Sequence, residues 1–206
     1  MTIDFDPETH TYAIDSRPVP SVTRLLEDEG CYYNPFAMDH HRNRGTLVHQ
    51  ICDLIDGRPW EASSVENLIA QSQWDPAGTD PILVPYGMAY ADFLVKTQFH
   101  AALSEKVVGS AMFGYAGKLD KHGYVGAESW LVDVKSGKPG PSAKLQTALY
   151  AHGLEEHLGI PTDKRLTVWL QDDGDFKMEF GNGGDLDVAL AVVKVWHWRR
   201  SNKLFT

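Results

Sequence analysis

Leu131-Val132-Asp133-Val134-Lys135-Ser136-Gly137 is the stretch from which the rest of the chain can be read. Side chains alternate faces along a strand, so Asp133 and Lys135 project together while Val132 and Val134 pack on the other side. A carboxylate and an ammonium then share one surface, roughly 6 to 7 Å apart along the strand. Upstream, Gly117-Lys118-Leu119-Asp120 ends a neighbouring strand that can bring a second carboxylate beside the first. Two convergent carboxylates repel each other unless a cation lies between them. Hard oxygen ligands with open positions suit Mg2+ or Mn2+ bound jointly with a phosphate. Taken alone, the D-x-K tripeptide reads equally well as a solvated ion pair on an exposed strand face.

Working outward, short strands are expected over Leu103 to Val108, Gly114 to Lys121 and Trp130 to Lys135, with His122-Gly123 among the turn signals. Pro141 to Leu158 has helical spacing, Leu166 to Gln171 reads as another strand, and Asp185 to Arg199, led by Gly183-Gly184, as a closing helix. On the N-terminal side, Phe5 to Ala13 reads as a short hairpin or turn-and-strand. Ser21 is the expected N-cap of a helix over Val22 to Glu29. Leu47, Val48, Ile51, Leu54 and Ile55 recur at helical spacing and predict a helix from about Asn43 to Asp56, stopped by Gly57 and Pro59. Further helices are expected at about Ser64 to Ser72 and Val84 to Thr97. The order predicts an α/β fold: a mixed sheet flanked by helices over 101–206, behind a mainly helical lobe over 1–100, in a single domain of 206 residues.

Bulk properties narrow the function. With 43% hydrophobic and 23% charged residues the chain has the composition of an ordinary globular protein, not a disordered one. The opening residues lack a signal peptide's basic start and apolar stretch, and no apolar run is long enough to span a bilayer, so a cytoplasmic location without membrane contact is expected. Cys31 and Cys52 are the only cysteines, which rules out a four-cysteine iron–sulfur cluster held by one chain. No GxxxxGK[ST] loop occurs, so no ATP site is expected. The net charge of -9 weighs against nucleic-acid binding, although a formal count omits the charge that bound cations add locally.

Four ordered elements carry a resemblance to a known family. Arg44-Gly45-Thr46-x-x-His49, Gly114-x-x-Gly117-x-x-Asp120, Val132-Asp133-Val134-Lys135-Ser136-Gly137 and Gln146-x-x-x-Tyr150 together resemble the RecB-type branch of the PD-(D/E)XK nucleases. Phe5-Asp6-x-x-x-His10-x-Tyr12 with Val19-Pro20-Ser21-Val22-Thr23 further resembles small phage and prophage exonucleases of this lambda-exonuclease-like branch. The likeness runs from about Phe5 to Tyr150. It implies a restriction-endonuclease-like core and a Mg2+-dependent deoxyribonuclease, with Mn2+ able to substitute. Asp120 and Asp133 would be metal ligands, the Val134 backbone carbonyl a further ligand, and Lys135 the catalytic lysine. Glu105 matches the family's additional acid, which can serve a second metal, and His49 would approach the metal from the preceding helix. Arg44, Gln146 and Tyr150 would contact DNA or brace the site. Two departures stand out: Asp133 occupies a position where Glu is common, and the four-cysteine cluster of some relatives is missing.

The resemblance implies a phosphodiester hydrolase on DNA with free ends, in recombination, repair or processing, with a single-strand annealing or recombination protein and self-association as candidate partnerships. An endonuclease with the same site, or a silent DNA- or protein-binding module on the same fold, stays open at this stage. Trp198, Arg199 and Arg200 mix an aromatic ring with positive charge and are candidate DNA contacts, or equally a solvated helix end. His152 and His157 tempt a zinc reading, but residues five apart on a helix do not share a face.

Overall fold

The structure is a computed structural model that describes residues 1–31, 39–56, 83–137 and 140–204, with side chains from Arg44 onward in the second segment. The expected helix at Ser64 to Ser72 lies outside the described residues. Strand β6 (Glu128–Lys135) explains the architecture best. Its residues from Ser129 to Val134 are all buried, because helices cover both faces of the sheet at this strand. Val132 and Val134 pack into one hydrophobic cluster with Ile51, Phe93 and Val168, while Leu131 packs into a second with Leu25, Leu149 and Val193.

Five strands form the main sheet in the order β4 (His100–Ser110), β5 (Tyr115–Val125), β6, β7 (Lys164–Leu170) and β8 (Phe176–Phe180). Neighbours are antiparallel except β6 and β7, which are parallel and joined through helix α4 (Ser142–Leu158). Helices α2 (Asp39–Ile55) and α3 (Val84–Thr97) cover one face; α1 (Val22–Asp28), α4 and α5 (Gly184–Ser201) cover the other. A mixed sheet between helical layers is the restriction-endonuclease-like core that the sequence predicts.

Ahead of this core lies a small antiparallel sheet of β1 (Ile3–Asp6), β2 (Thr11–Ile14) and β3 (Arg17–Val19), so the hairpin read from Phe5 to Ala13 has a third strand. It is tied to β5 where the Ala116 amide donates to the Pro20 carbonyl at 3.1 Å. The next residue, Ser21, caps α1 as expected, its Oγ accepting from the Arg24 amide at 3.0 Å. Helix α5 closes onto α1: Trp196 Nε1 donates to Asp28 Oδ2 at 2.9 Å, and Arg199 pairs with Glu29 at 3.0 Å. No helix among the described residues is long and apolar enough to cross a membrane.

Candidate metal centre

Three elements converge at the β4–β5 hairpin. In this pair Ser104 lies opposite Lys121 and Lys106 opposite Leu119 in one register, which sets Glu105 and Asp120 across from each other between two paired positions. Glu105 has φ of +51°, a left-handed conformation that is uncommon and costly for a side chain other than glycine. Backbone strain of this kind concentrates where a side chain is aimed for use. Helix α2 places His49 over the same two side chains. Its Nδ1 lies 3.4 Å from Glu105 Oε1 and 3.7 Å from Asp120 Oδ1.

Among the described residues, His49, Glu105 and Asp120 are the one group of three or more such side chains close enough to hold an ion, each offering an atom within 4.8 Å of the others. Their charges are interdependent. Asp120 raises the pKa of His49 above its ordinary value, against the effect of burial, and Glu105 adds to the rise. Burial opposes ionisation of Glu105, yet hydrogen bonds from His49 and Lys118 outweigh it and hold the carboxyl down at about 2. Lys118, from β5, ion-pairs with Glu105 Oε2. In the free protein these cationic partners compensate the carboxylates as a divalent ion can.

Beside this group stands the pair read from the sequence. Lys135 Nζ donates to Asp133 Oδ1 at 2.8 Å, so the two share a face as strand alternation predicts. Asp133 has no exposed surface, and its Oδ2 is buried without a hydrogen-bond partner. Burial pushes its carboxyl up to about 6, against the pull of Lys135 and with help from Asp120. Burial also opposes the charge on Lys135, but Asp133 and Asp120 together hold its ammonium above the usual range. Asp120 Oδ2 accepts the Val134 amide at 2.8 Å, where the β5–β6 ladder has ended at Lys121 and Val132. The carboxylate thus takes the place of a strand partner, and its position is set by backbone.

Donor chemistry and geometry fit a divalent cation. Two carboxylates and an imidazole are donors that divalent cations accept, and their atoms lie close enough together to hold one. The unpartnered Asp133 Oδ2 is a polar atom for which the protein supplies no proton donor. Asp133 itself is outside the His49, Glu105 and Asp120 group, directed to Lys135, and Val134 contributes its amide to Asp120.

The remaining sequence candidates surround this point or lie apart from it. Gln146 Nε2 donates to Tyr150 Oη at 3.0 Å, one turn apart on α4, and Tyr150 is buried where its phenol and Lys135 influence each other. Gly117 makes room for that ring: a Cβ there would lie 2.7 Å from Tyr150 Cε1. Arg44 donates from Nη2 to the Ser136 carbonyl at 3.2 Å and sits over the Tyr86 ring, tying α2 to the turn after Lys135. At the end of α5, Trp198 is exposed, Arg199 pairs with Glu29 and Arg200 lies over Trp196. His152 is taken up by Tyr115 Oη at 2.8 Å.

Residues that sequence reasoning missed are Lys118, Lys121, Asp53 and Asp56. Lys121 is almost wholly buried and pairs with Asp53 and, at 2.5 Å, with Asp56 Oδ2. A signal existed: Asp53 and Asp56 follow His49 by four and seven residues and so lie on its helical face. Tyr12, from the N-terminal motif, lies near enough to Glu105 to feel its charge; burial first and Glu105 second push its phenol up to about 12.

No family model matches this sequence, and no curated protein does. Among solved structures, the chain is similar to a protein from Eubacterium rectale provisionally described as an exonuclease, at 12% identity over 92% of this chain and 77% of that one, with a TM-score of 0.49. It is also similar to an alkaline exonuclease from Laribacter hongkongensis, at 16% identity over 80% of this chain and 100% of that one, with a TM-score of 0.34. A second structure of that exonuclease, in complex with dAMP, gives a TM-score of 0.36 at 16% identity, over 91% of this chain and 95% of that one.

Proposed function

We propose that this chain is a divalent-metal-dependent nuclease that hydrolyses phosphodiester bonds in DNA as one catalytic domain. In this reading it is an exonuclease of the RecB-type PD-(D/E)XK branch, working from free ends with Mg2+ or, in its place, Mn2+. The observation that carries the reading is the meeting of His49, Glu105 and Asp120 donor atoms beside a lysine that is salt-bridged to a buried carboxylate. A bound divalent ion would polarise the phosphate and lower the pKa of a coordinated water.

The protein's own groups prepare that chemistry. Asp120 is oriented through the Val134 amide on one oxygen, which leaves Oδ1 turned toward His49 and available as a ligand. Glu105, held ionised down to about pH 2, is a ligand that needs no deprotonation at neutral pH. Lys135 keeps its charge because Asp133 and Asp120 compensate it, so the ammonium can offset negative charge that grows on the phosphate oxygens or orient the attacking water. Asp133 anchors that ammonium, and Tyr150 and Gln146 wall the pair on the α4 side.

Digestion of end-labelled linear DNA and covalently closed circular DNA with Mg2+, Mn2+ or a chelator tests the proposal. Linear DNA should be degraded with either metal, the closed circle spared, and both left intact with chelator. Asp120→Ala and Lys135→Ala should each lower the rate by about 100-fold or more. Cutting of the closed circle would replace the exonuclease with an endonuclease using the same groups. Undiminished activity in both variants, or in chelator, would overturn the assignment.

A further inference from the structure

The buried ion cluster next to the metal centre is built from the chain neighbours of the three candidate ligands. Lys121 directly follows Asp120, Ser104 directly precedes Glu105, and Asp53 lies one helical turn after His49. Lys121 Nζ donates to Ser104 Oγ at 2.8 Å and to Asp53 Oδ1, and Ser104 Oγ donates to the same Asp53 oxygen at 2.5 Å. Asp56 Oδ2 lies 2.5 Å from Lys121 Nζ, and Asp56 Oδ1 accepts from Tyr90 Oη of α3 at 2.8 Å.

We infer that Lys121, Asp53, Asp56 and Ser104 are positioning residues that fix the mutual separation of His49, Glu105 and Asp120, and thereby set the protein's affinity for its divalent ion. The inference rests on the metal-binding part of the nuclease reading and goes beyond it.

Three features argue for this role. First, the cluster sits where β4 leaves the extended conformation: Glu105 has φ of +51°, and Lys121 and Ser104, the chain neighbours of Asp120 and Glu105, are bonded to each other across the hairpin there. Second, Arg44 anchors one part of α2 to the Ser136 carbonyl, but the rest of the helix packs through Val48, Ile51, Cys52 and Ile55, whose burial is non-directional. Hydrogen bonds and ion pairs to Asp53 and Asp56 give that contact a register, and His49 moves as a rigid unit with them. Third, a lysine with 1% of its surface exposed is a poor route to stability, since buried ion pairs commonly do no better than apolar side chains of the same shape. Partners that orient metal ligands typically change metal affinity by about 10- to 100-fold when removed.

Mn2+ titration of the full chain without DNA, followed by calorimetry, tests this independently of cleavage. Lys121→Met and Asp53→Asn are the informative variants; Asp53→Asn keeps Lys121 paired with Asp56, which gives a second test if Lys121→Met does not fold. Each folded variant should bind Mn2+ about 10- to 100-fold more weakly than wild type. Because the effect of Asp53 runs through His49, Asp53→Asn should add little further loss in a His49→Ala background. A lowered melting temperature with unchanged Mn2+ affinity in Asp53→Asn would overturn the proposal while leaving the metal centre intact. Full additivity of Asp53→Asn and His49→Ala would overturn it as well. Failure of wild type to bind Mn2+ would instead remove the metal reading and this inference with it.

Discussion

Asp133 has no exposed surface and one oxygen without a proton donor, so its ionisation works against folding. Its pKa in the folded protein, about 6, lies above the ordinary 3.8, and burial is the main cause. The sign follows from linkage: below the unfolded value both states hold the proton and there is no penalty; as pH rises from about 4 through 6 the unfolded chain releases its proton first, and stability falls. Above that window the loss is complete. In metal-free protein Asp133→Asn should therefore be more stable than wild type at about pH 8, by on the order of 1–3 kcal/mol. The difference should shrink as pH falls toward 4, while cleavage is lost because Lys135 is no longer anchored. Chemical denaturation at several pH values checks this; a difference that grows on acidification would contradict it. Glu105 has the opposite sign. Its carboxyl is held at about 2, so its stabilising contacts with His49 and Lys118 persist above its ordinary value of 4.5 and fade as pH falls through that window.

Contact between β5 and α4 depends on Gly117, where a Cβ would meet Tyr150 Cε1 at 2.7 Å and Val22 Cγ2 at 3.3 Å. Gly117→Ala should cost about 1–3 kcal/mol of stability, because a ring held between helix and sheet has no free direction in which to retreat. Most of that cost should vanish in a Tyr150→Ala background, read from urea midpoints in a double-mutant cycle. Equal costs in both backgrounds would place the strain elsewhere. Elements whose residues repeat a strong local pattern were legible in the sequence: Ser21 capping α1, the helix Val84–Thr97, and the buried run of β6 all stand where spacing predicts. β8 was missed although Phe176-Lys177-Met178-Glu179-Phe180 alternates apolar and polar residues as a strand does; the run is five residues long and stands at the sheet edge. β4 begins at His100, earlier than the expected Leu103, and its course is disturbed by the left-handed residue at Glu105, which no propensity signals.

At the scale of the molecule, the expected sheet between helices follows from the order of elements, but the arrival of His49 and Glu105 at Asp120 does not. Asp120 and Asp133 read as an equivalent pair along the chain. In three dimensions Asp120 joins His49 and Glu105, whereas Asp133 turns to Lys135. Alternation fixes which face of a strand a side chain occupies, but not which helix arrives there. The shared helical face of His49, Asp53 and Asp56 was legible, but its pairing with Lys121 was not, since it joins residues 68 positions apart.

The left-handed turn of the backbone at Glu105 bears on how the hairpin opens. A cation gripped by Glu105 and Asp120 would act as a staple across the β4–β5 seam, adding a link beside the backbone ladder at the point where β4 leaves the extended conformation. Amides on either side of it, from Leu103 to Val107 and from Lys118 to His122, should then take up deuterium more slowly when Mn2+ is added. Amides of β7 and β8, away from the seam, should exchange at an unaltered pace. Uniform slowing throughout would mean that the ion tightens the whole protein instead of pinning one seam.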